Sequence, residues 1–477
     1  MTFNSLEFVF FFILVSTAYF ILPYKHRWFL LLAASCYFYM AFVPVYILIL
    51  AFTIIIDYLA GRAIENVQGK KRKLYLIISL AANIGVLAVF KYYNFLNENL
   101  TALLGPLHVK NPAPVLKILL PIGLSFHTFQ AMSYTIEVYR GHQKAEKHFG
   151  IYALYVMFYP QLVAGPIERP GNLLPQFRQH HDFNTSRVAA GLSLMLWGFF
   201  KKVVVADRLA LYVNEVYNNP DQHNGSTFIL ATIFFAFQIY CDFSAYSDIA
   251  IGAAQVMGFK LMTNFNRPYF SSSISEFWKR WHISLSTWFK DYLYVPLGGN
   301  RVSIPRWYFN LMIVFLISGL WHGANWTFIL WGALNGFYLV FGAITSKLRI
   351  RISRVTGAPK LPRLHRFVQI IVTFILCSFA WIFFRANSLS DSFHIIGKIF
   401  TDHGRPFIES DPSSIVYSFL GLAILLFVEA KWEYYKGSFS FCHNRHWLVK
   451  NLSYAFLIIV MLLIGVFDGG QFIYFQF

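Results

Sequence analysis

The sequence predicts an all-α protein that crosses a membrane many times. Of its 477 residues, 57% are hydrophobic and only 13% are charged, whereas a soluble globular protein has about 25% charged residues. Apolar runs of spanning or near-spanning length also recur from one end of the chain to the other. We therefore expect a polytopic membrane protein with roughly 10–13 transmembrane helices, together with interfacial and re-entrant helices.

The apolar runs define the predicted elements in chain order. Several are shorter than the roughly 18 residues that a helix needs to cross the bilayer, which is why re-entrant helices are expected. The first run has no basic segment before it and no small-residue cleavage site, so it is expected to be a retained span and not a signal peptide. The runs cover residues 6–22, 28–42, 45–60, 74–90, 115–138, 151–164, 188–200, 228–241, 249–259, 307–317, 326–344, 368–384, 415–428 and 452–466.

The net charge of +18 is explained by the positive-inside rule of membrane proteins. In a soluble protein this charge would suggest a nucleic-acid partner. Here the cations lie in loops between apolar runs, so we expect contact with membrane lipids and no nucleic acid. If every basic loop faces the cytoplasm, the N-terminus and the loop 385–412 lie outside it, in a multi-pass protein of the plasma (inner) membrane. The basic loops are 25–27, 62–73, 140–147, 347–366 and 431–450.

Polar residues within the apolar runs are expected to brace helices. Asp242 and Asp248 stand in an apolar region, where a carboxylate is costly unless it has a partner. No His or further carboxylate stands at ligand spacing, so pairing with Lys or Arg is favoured over metal binding. His127 is expected to be a packed, hydrogen-bonded core residue. The four cysteines are scattered and indicate neither a disulfide framework nor a metal site.

Residues 275–335 hold the densest mixture of charge, aromatic rings and glycine. Steps of about 100° per residue place the large apolar side chains of residues 277–293 in one arc of roughly 160°, opposite Lys279, Arg280 and Lys290. This pattern predicts one amphipathic helix that lies along the membrane interface. His282 falls at the margin of the apolar arc, either as a functional residue or as a border residue that serves solubility.

A second Trp-His pair, Trp321-His322, lies between two apolar runs and among glycines. A neutral imidazole near pH 7 is a suitable general base for a hydroxyl group. The alternative is a histidine that is hydrogen-bonded inside a helix bundle. The chain contains no P-loop, no G-x-S-x-G and no H-E-x-x-H motif, which excludes the usual ATPases, serine hydrolases and zincins but not a transferase that works without a nucleophile.

Two stretches closely resemble the membrane-bound O-acyltransferase (MBOAT) family, in particular its bacterial polysaccharide O-acetyltransferases, including those of alginate biosynthesis. They are FWKRWHISLSTWFKDYLYVPLGGNR at residues 277–301 and GLWHGANW at residues 319–326. The resemblance covers most of the chain, because further motifs agree with it: SFHTFQAMSY, YPQLVAGPIERP, DFSAYSDIAIG, NFNRPYFSSSISEFW and QFIYFQF. It implies one MBOAT-type domain over residues 1–477, with a catalytic core at about 240–345 and a ring of helices around a central funnel.

The resemblance also implies an activity and a site. His322 would be the essential catalytic histidine and His282 the second one. The acyl group, commonly acetyl, would pass from a cytoplasmic thioester such as acetyl-coenzyme A toward an external hydroxyl, with no bound cofactor or metal. A periplasmic SGNH-type acetyltransferase and polysaccharide secretion proteins are the implied partners. Substrate binding is expected at Lys279, Arg280, Asp291, Asn300, Arg301 and Asn325, because the basic residues would attract an anionic donor and Asn325 is a candidate oxyanion donor.

Three alternatives remain open at the level of sequence. Relatives within the same enzyme class transfer D-alanine toward teichoic acid or acetylate peptidoglycan. A transporter or lipid-linked sugar flippase would use Glu137, Asp242 and Asp248 as a proton relay, although the inverted repeats typical of such proteins are not evident in the sequence. A scaffold for a secretion complex would leave both Trp-His pairs unexplained.

Overall fold

The computed structural model describes residues 1–116, 120–163, 165–408, 412–435 and 446–467. Within these ranges all regular secondary structure is helical, which confirms the predicted all-α membrane fold. Cys442, the terminal QFIYFQF motif and parts of the runs 115–138 and 151–164 and of the basic loop 431–450 lie outside the described residues. The helices are α1 (Leu6–Ile21), α2 (Tyr24–Met40), α3 (Ile47–Asn66), α4 (Lys70–Leu87), α5 (Tyr93–Leu104), α6 (Leu124–Arg140), α7 (Phe149–Met157), α8 (Tyr159–Leu162), α9 (Pro170–Gln176), α10 (Thr185–Phe200), α11 (Asp207–Asn218), α12 (Gly225–Met257), α13 (Ile274–Arg280), α14 (Ile283–Phe289), α15 (Ile304–His322), α16 (Trp326–Ile344), α17 (Ser346–Val355), α18 (Pro362–Arg385), α19 (Leu389–Thr401), α20 (Pro412–Tyr434) and α21 (Trp447–Ile464).

Nine helical stretches in the described part of the chain are long and apolar enough to cross a membrane. Helix α1 is apolar but somewhat shorter than these nine. The apolar run 151–164 forms the short helices α7 and α8, in keeping with the expectation that short runs do not all cross the bilayer. The nine stretches are Pro44–Asn66, Lys70–Leu107, Thr185–Asn218, Gly225–Met257, Ile304–His322, Trp326–Ile344, Pro362–Arg385, Pro412–Tyr434 and Trp447–Ile464.

The chain forms two compact units. The first comprises Met1–Met195 with Ile249–Met262, and the second comprises Leu196–Asp248 with Thr263–Phe477. In the first unit His127 is buried on α6 and its Nε2 lies 3.3 Å from the hydroxyl oxygen of Thr53. This confirms that His127 is a packed, hydrogen-bonded core residue. Both Trp-His pairs belong to the second unit.

In the second unit, buried lysines neutralise the carboxylates of α12. A π-helical turn, Lys201–Ala206, joins α10 to α11. The Lys202 amine lies 2.7 Å from carboxylate oxygens of both Asp207 and Asp242, and the Lys201 amine lies 2.7 Å from Asp248. The predicted pairing of Asp242 and Asp248 with basic residues is therefore confirmed. The runs 228–241 and 249–259, which were predicted as separate elements, belong to the single helix α12. The polar residues between them do not interrupt the helix, because their charges are neutralised within the protein.

Helices α15 and α16 form a close-packed hairpin in the second unit. A Cβ atom on Gly319 would stand 2.3 Å from the backbone oxygen of Phe328, and one on Gly332 would stand 2.3 Å from that of Phe315. Small residues allow the backbones of membrane helices to approach this closely. The hairpin fixes the end of α15, which carries His322, against the start of α16.

Candidate active site

The predicted amphipathic helix over residues 277–293 is interrupted at Trp281-His282. Helix α13 ends at Arg280, α14 begins at Ile283, and a π-helical turn follows from Lys290 to Tyr294. His282 adopts a left-handed backbone conformation, with φ 41° and ψ 56°. Such a conformation costs a residue other than glycine about 1–3 kcal/mol and persists only where its surroundings enforce it. The prediction of one continuous helix is therefore wrong.

The aromatic face of this segment, which was expected to face the membrane interface, packs against other helices of the protein. Phe277 and Trp281 are each 1% exposed. The Trp281 ring stands 5.1 Å from that of Trp381 on α18, which in turn stacks on Trp331 of α16 at 5.7 Å. These distances are centroid separations typical of favourable aromatic pairs. The aromatic face is therefore buried by contacts with other helices of the protein, whereas the amphipathic pattern predicted contact with the membrane interface.

Asn264 sets the orientation and the tautomer of His282. The Oδ1 atom of Asn264 accepts the backbone N–H of Ser284 at 3.2 Å and lies 3.1 Å from Nδ1 of His282. A backbone N–H can only donate, so the Asn264 atom is a carbonyl oxygen, and the His282 nitrogen that faces it must carry the proton. The Nε2 atom of His282 therefore bears the lone pair. The amide nitrogen of Asn264 donates to Ser247 at 2.9 Å, which fixes Asn264 in turn.

The surroundings of His282 favour a neutral imidazole. Its ring is 1% exposed, and the edge of Phe243 meets it at a centroid distance of 4.5 Å. Burial lowers the pKa of His282 to about 3, because an apolar environment disfavours the charged form. The imidazole is consequently uncharged near pH 7 and can act as a hydrogen-bond acceptor through Nε2.

His322 is enclosed by aromatic rings from three helices. It is the last residue of α15 and is 3% exposed. Its ring meets those of Trp321, Trp331 and Phe384 in edge-on contacts at centroid distances of 4.9, 5.0 and 5.4 Å. Trp321 also lies 6.1 Å from the ring of His282. One tryptophan thus contacts both imidazoles, so the fold brings the two Trp-His pairs into one site.

The remaining predicted site residues lie in three settings. Asn325 caps α16, where its side-chain oxygen accepts the N–H of Thr327 at 3.0 Å. Arg280 forms ion pairs with Glu276 at 2.6 Å and with Glu433 at 2.9 Å. The third setting is an exposed or half-exposed surface, where the Lys290 amine lies 3.8 Å from the Asp291 carboxylate. Each residue in this third setting is individually exposed or half-exposed: Lys279, Lys290, Asp291, Asn300 and Arg301.

Sequence reasoning missed four residues of the site. Asn264 begins the NFNRPYF motif, but no pattern in the sequence assigns it a role. Trp331, Trp381 and Phe384 lie inside apolar runs, where hydropathy alone does not distinguish them from lipid-facing residues. Within the described ranges, no group of three or more His, Cys, Asp or Glu side chains is arranged to hold a metal ion.

The helical membrane fold and the paired Trp-His motifs define the class of this protein: the chain belongs to the MBOAT, membrane-bound O-acyltransferase family, whose model matches residues 115–387. It is an acyltransferase of the membrane. The match includes both histidines and Trp321, Trp331 and Phe384, whose rings contact His322. Family membership favours the enzyme over the transporter and the scaffold.

Individual members of the family show which acyltransferases the chain is similar to. The chain is 39% identical over 404 residues to the probable alginate O-acetylase AlgI of Azotobacter vinelandii, covering 84% of this chain and 78% of the relative. It is 34% identical over 433 residues to the peptidoglycan O-acetyltransferase of Helicobacter pylori, covering 83% and 79% of the two chains. To the teichoic acid D-alanyltransferase of Streptococcus thermophilus it is 28% identical over 236 residues, covering 46% and 56%.

Proposed function

We propose that this enzyme transfers an acetyl or other short acyl group from a cytoplasmic thioester toward hydroxyls of an extracytoplasmic polysaccharide, with His322 as the general base. The observation that carries the proposal is the burial of His322 among three aromatic rings, beside a tryptophan that also contacts the neutral His282. In such a water-poor site, electrostatic interactions with developing charge are stronger than in water.

The proposed chemistry is a proton-assisted acyl transfer. The His322 imidazole accepts the proton of the acceptor hydroxyl as its oxygen attacks the thioester carbonyl. The tetrahedral intermediate then expels the thiolate, which takes that proton from the imidazolium, so that the products are an ester and a free thiol. Because the Asn325 side-chain oxygen caps α16, its amide N–H group is the proposed donor to the oxyanion, alongside backbone N–H groups.

We assign the acyl donor as acetyl-coenzyme A on grounds of charge. Lys279, Lys290, Arg301 and Arg306 are exposed and lie close together in the sequence. Exposed cations raise the local concentration of an anionic ligand. Asp291 is half-exposed and Asn300 is exposed, and both would orient the donor. Arg280, which is held by Glu276 and Glu433, would contribute by supporting this segment.

The acceptor and the partner are proposed from the relatives. Similarity to alginate O-acetylases and to a peptidoglycan O-acetyltransferase over more than four-fifths of this chain supports a glycan acceptor. D-alanyl transfer is less favoured, because that relative matches 46% of the chain. We propose a periplasmic SGNH-type acetyltransferase as the protein that completes transfer, and a plasma-membrane location with the N-terminus outside the cytoplasm.

The decisive experiment measures transfer from labelled acetyl-coenzyme A to glycan in membranes that contain the full-length protein. His322→Ala is expected to lower the rate at least about a hundredfold, because positioned general bases contribute at least that much. His282→Ala should also cause a severe loss. His127→Ala, which truncates an equally buried histidine of the first unit, is the matched control and should keep most of the activity. Normal transfer by a folded His322→Ala protein would refute the assignment.

A further inference from the structure

Residues 346–366 link two membrane spans and form a surface that the acyl transfer does not use. This stretch, which we call the basic connector, joins α16 to α18 and includes α17. It carries seven cations and no carboxylate. The cations are Lys347, Arg349, Arg351, Arg354, Lys360, Arg363 and Arg366.

On helix α17 three cations and three apolar residues form two adjacent faces, and Arg349 and Ile350 fall outside both. At about 100° per residue, Lys347, Arg351 and Arg354 fall within an arc of about 60°, and Leu348, Ile352 and Val355 fall within a second arc of about 60° beside it. The three apolar side chains are 56%, 51% and 81% exposed. Helices with adjacent basic and apolar faces lie in the interface of a membrane, with the apolar face among the acyl chains.

Two of the seven cations are engaged with the protein itself. Arg349 donates to the backbone oxygen of Gly342 at 2.6 Å, and Arg366 pairs with Glu433 at 3.1 Å. These contacts fix both ends of the connector. Across the described ranges of the chain, the other five form no salt bridge: Lys347, Arg351, Arg354, Lys360 and Arg363.

A cavity of about 420 Å³ opens at the α18 end of the connector. Its lining consists of Ser272, Glu276, Pro359, Pro362, His365, Arg366 and Gln369. The Glu276 carboxylate pairs with Arg280 at 2.6 Å. Its volume lies in the usual range for sites that hold small ligands, about 300–1,000 Å³. The helix N-terminus at Pro362 adds partial positive charge on this side of the cavity.

We propose that the basic connector binds the headgroups of anionic phospholipids. Charge complementarity identifies this occupant, since unneutralised cations stand beside exposed apolar side chains, and spans on both sides hold the connector at the membrane surface. Each Lys or Arg near an anionic lipid surface strengthens binding about fivefold. An acidic protein would satisfy the cations but would leave the apolar arc of α17 without a suitable environment.

The test titrates the purified full-length protein, in a neutral detergent, with phosphatidylglycerol and separately with phosphatidylcholine, and measures dissociation constants by native mass spectrometry. The wild-type protein should prefer phosphatidylglycerol by about tenfold or more. The triple variant Lys347→Gln, Arg351→Gln, Arg354→Gln should lose most of that preference. The control of equal charge replaces three exposed cations in separate loops, Lys110→Gln, Lys144→Gln and Lys260→Gln, and should keep it.

Two further measurements make the result decisive. Millimolar inorganic phosphate should not displace the lipid, because free phosphate lacks the acyl chains that the apolar arc requires. Elution of each variant as a single species in size-exclusion chromatography shows that it is folded. Equal affinity of the wild-type protein for the two lipids, or equal losses in the variant and the charge control, would overturn the proposal, and the first result would favour an acidic protein as the occupant.

Discussion

At the scale of single residues, the site depends on how Asn264 holds His282. One carbonyl oxygen of Asn264 receives hydrogen bonds from both the His282 ring and the Ser284 backbone. This arrangement enforces the left-handed backbone and assigns the ring proton to Nδ1. The position of Asn264 could not be predicted from the sequence, because it lies 18 residues before His282 and only the fold brings the two together. Both histidines, in contrast, could be identified from their Trp-His pairs.

Substitutions of Asn264 should show whether it positions the His282 ring or only supports the fold. Asn264→Asp places a carboxylate beside Nδ1 of His282 and should raise the pKa of His282 from about 3 toward the ordinary value of about 6.5. Acyl transfer that needs a neutral His282 would then be lost as the pH falls through the raised pKa, while wild-type activity would show no such loss.

The comparison variant is Asn264→Ala, which removes the hydrogen bond without adding a charge. It should lower activity by a similar factor at every pH between about 5.5 and 8, since the pKa of His282 stays depressed by burial. The measurement is the pH–rate profile of transfer in detergent. Identical profiles for the Asp variant and the wild-type protein would contradict the positioning role.

At the scale of elements, hydrophobic periodicity identified the helical segments but not their interruptions. The break at Trp281-His282 is stabilised from outside the helix, since Ile283 donates to the Asn264 backbone oxygen at 2.8 Å and Asn266 donates to that of Arg280 at 2.9 Å. A helical wheel contains no information on such tertiary bonds. Periodicity also failed at α12, where it predicted an interruption that the structure does not have. The lysines that neutralise the carboxylates of α12 come from another part of the chain, which a helical wheel does not show.

The hairpin of α15 and α16 gives a prediction about packing. Gly332→Ala would place a Cβ atom 2.3 Å from the Phe315 backbone oxygen, so the helices must separate at a cost of about 1–3 kcal/mol. The melting temperature and the transfer rate should both fall. Gly342→Ala in the same helix meets only the end of the Arg349 side chain at 3.8 Å, and it should leave both unchanged. Equal behaviour of the two variants would count against close packing as the support of His322.

The buried lysines give a prediction about charge. Lys202→Met would leave Asp207 and Asp242 buried without their shared cation, a change that costs about 3–5 kcal/mol. The thermal stability in detergent should fall sharply, whereas Lys260→Met on the surface should not alter it. Adding Asp207→Asn and Asp242→Asn to Lys202→Met should recover much of the loss. A stable Lys202→Met protein would show that the carboxylates do not need this partner.

At the scale of the whole molecule, the distribution of cations predicts how the chain is oriented. Lys398 of α19 donates to backbone oxygens of Pro220, Asp221 and His223 at 2.9, 3.0 and 2.9 Å. The loop after α11 therefore lies on the same side as the loop 385–412, which the positive-inside rule assigns to the exterior. The composition alone was sufficient to predict the membrane class.

Cysteine labelling tests this orientation. In a chain whose four native cysteines are replaced by serine, Asp221→Cys should react with an impermeant maleimide added outside intact cells. Lys360→Cys in the basic connector should react only after the cells are opened. Both positions are exposed, so failure to react reflects sidedness. Labelling of both positions from outside would contradict the proposed topology, and labelling of Lys360→Cys alone would reverse it.

The lysine–aspartate pairs also constrain how the nascent chain enters the bilayer. A lone helix that carries Asp242 and Asp248, or Lys201 and Lys202, faces about 2.5–3.5 kcal/mol for each charge at the bilayer centre. The two stretches, Thr185–Asn218 and Gly225–Met257, are consecutive and joined by the short connection 219–224. The translocon should therefore release them together as a pre-assembled hairpin, so that each supplies the counter-charges of the other before either meets lipid.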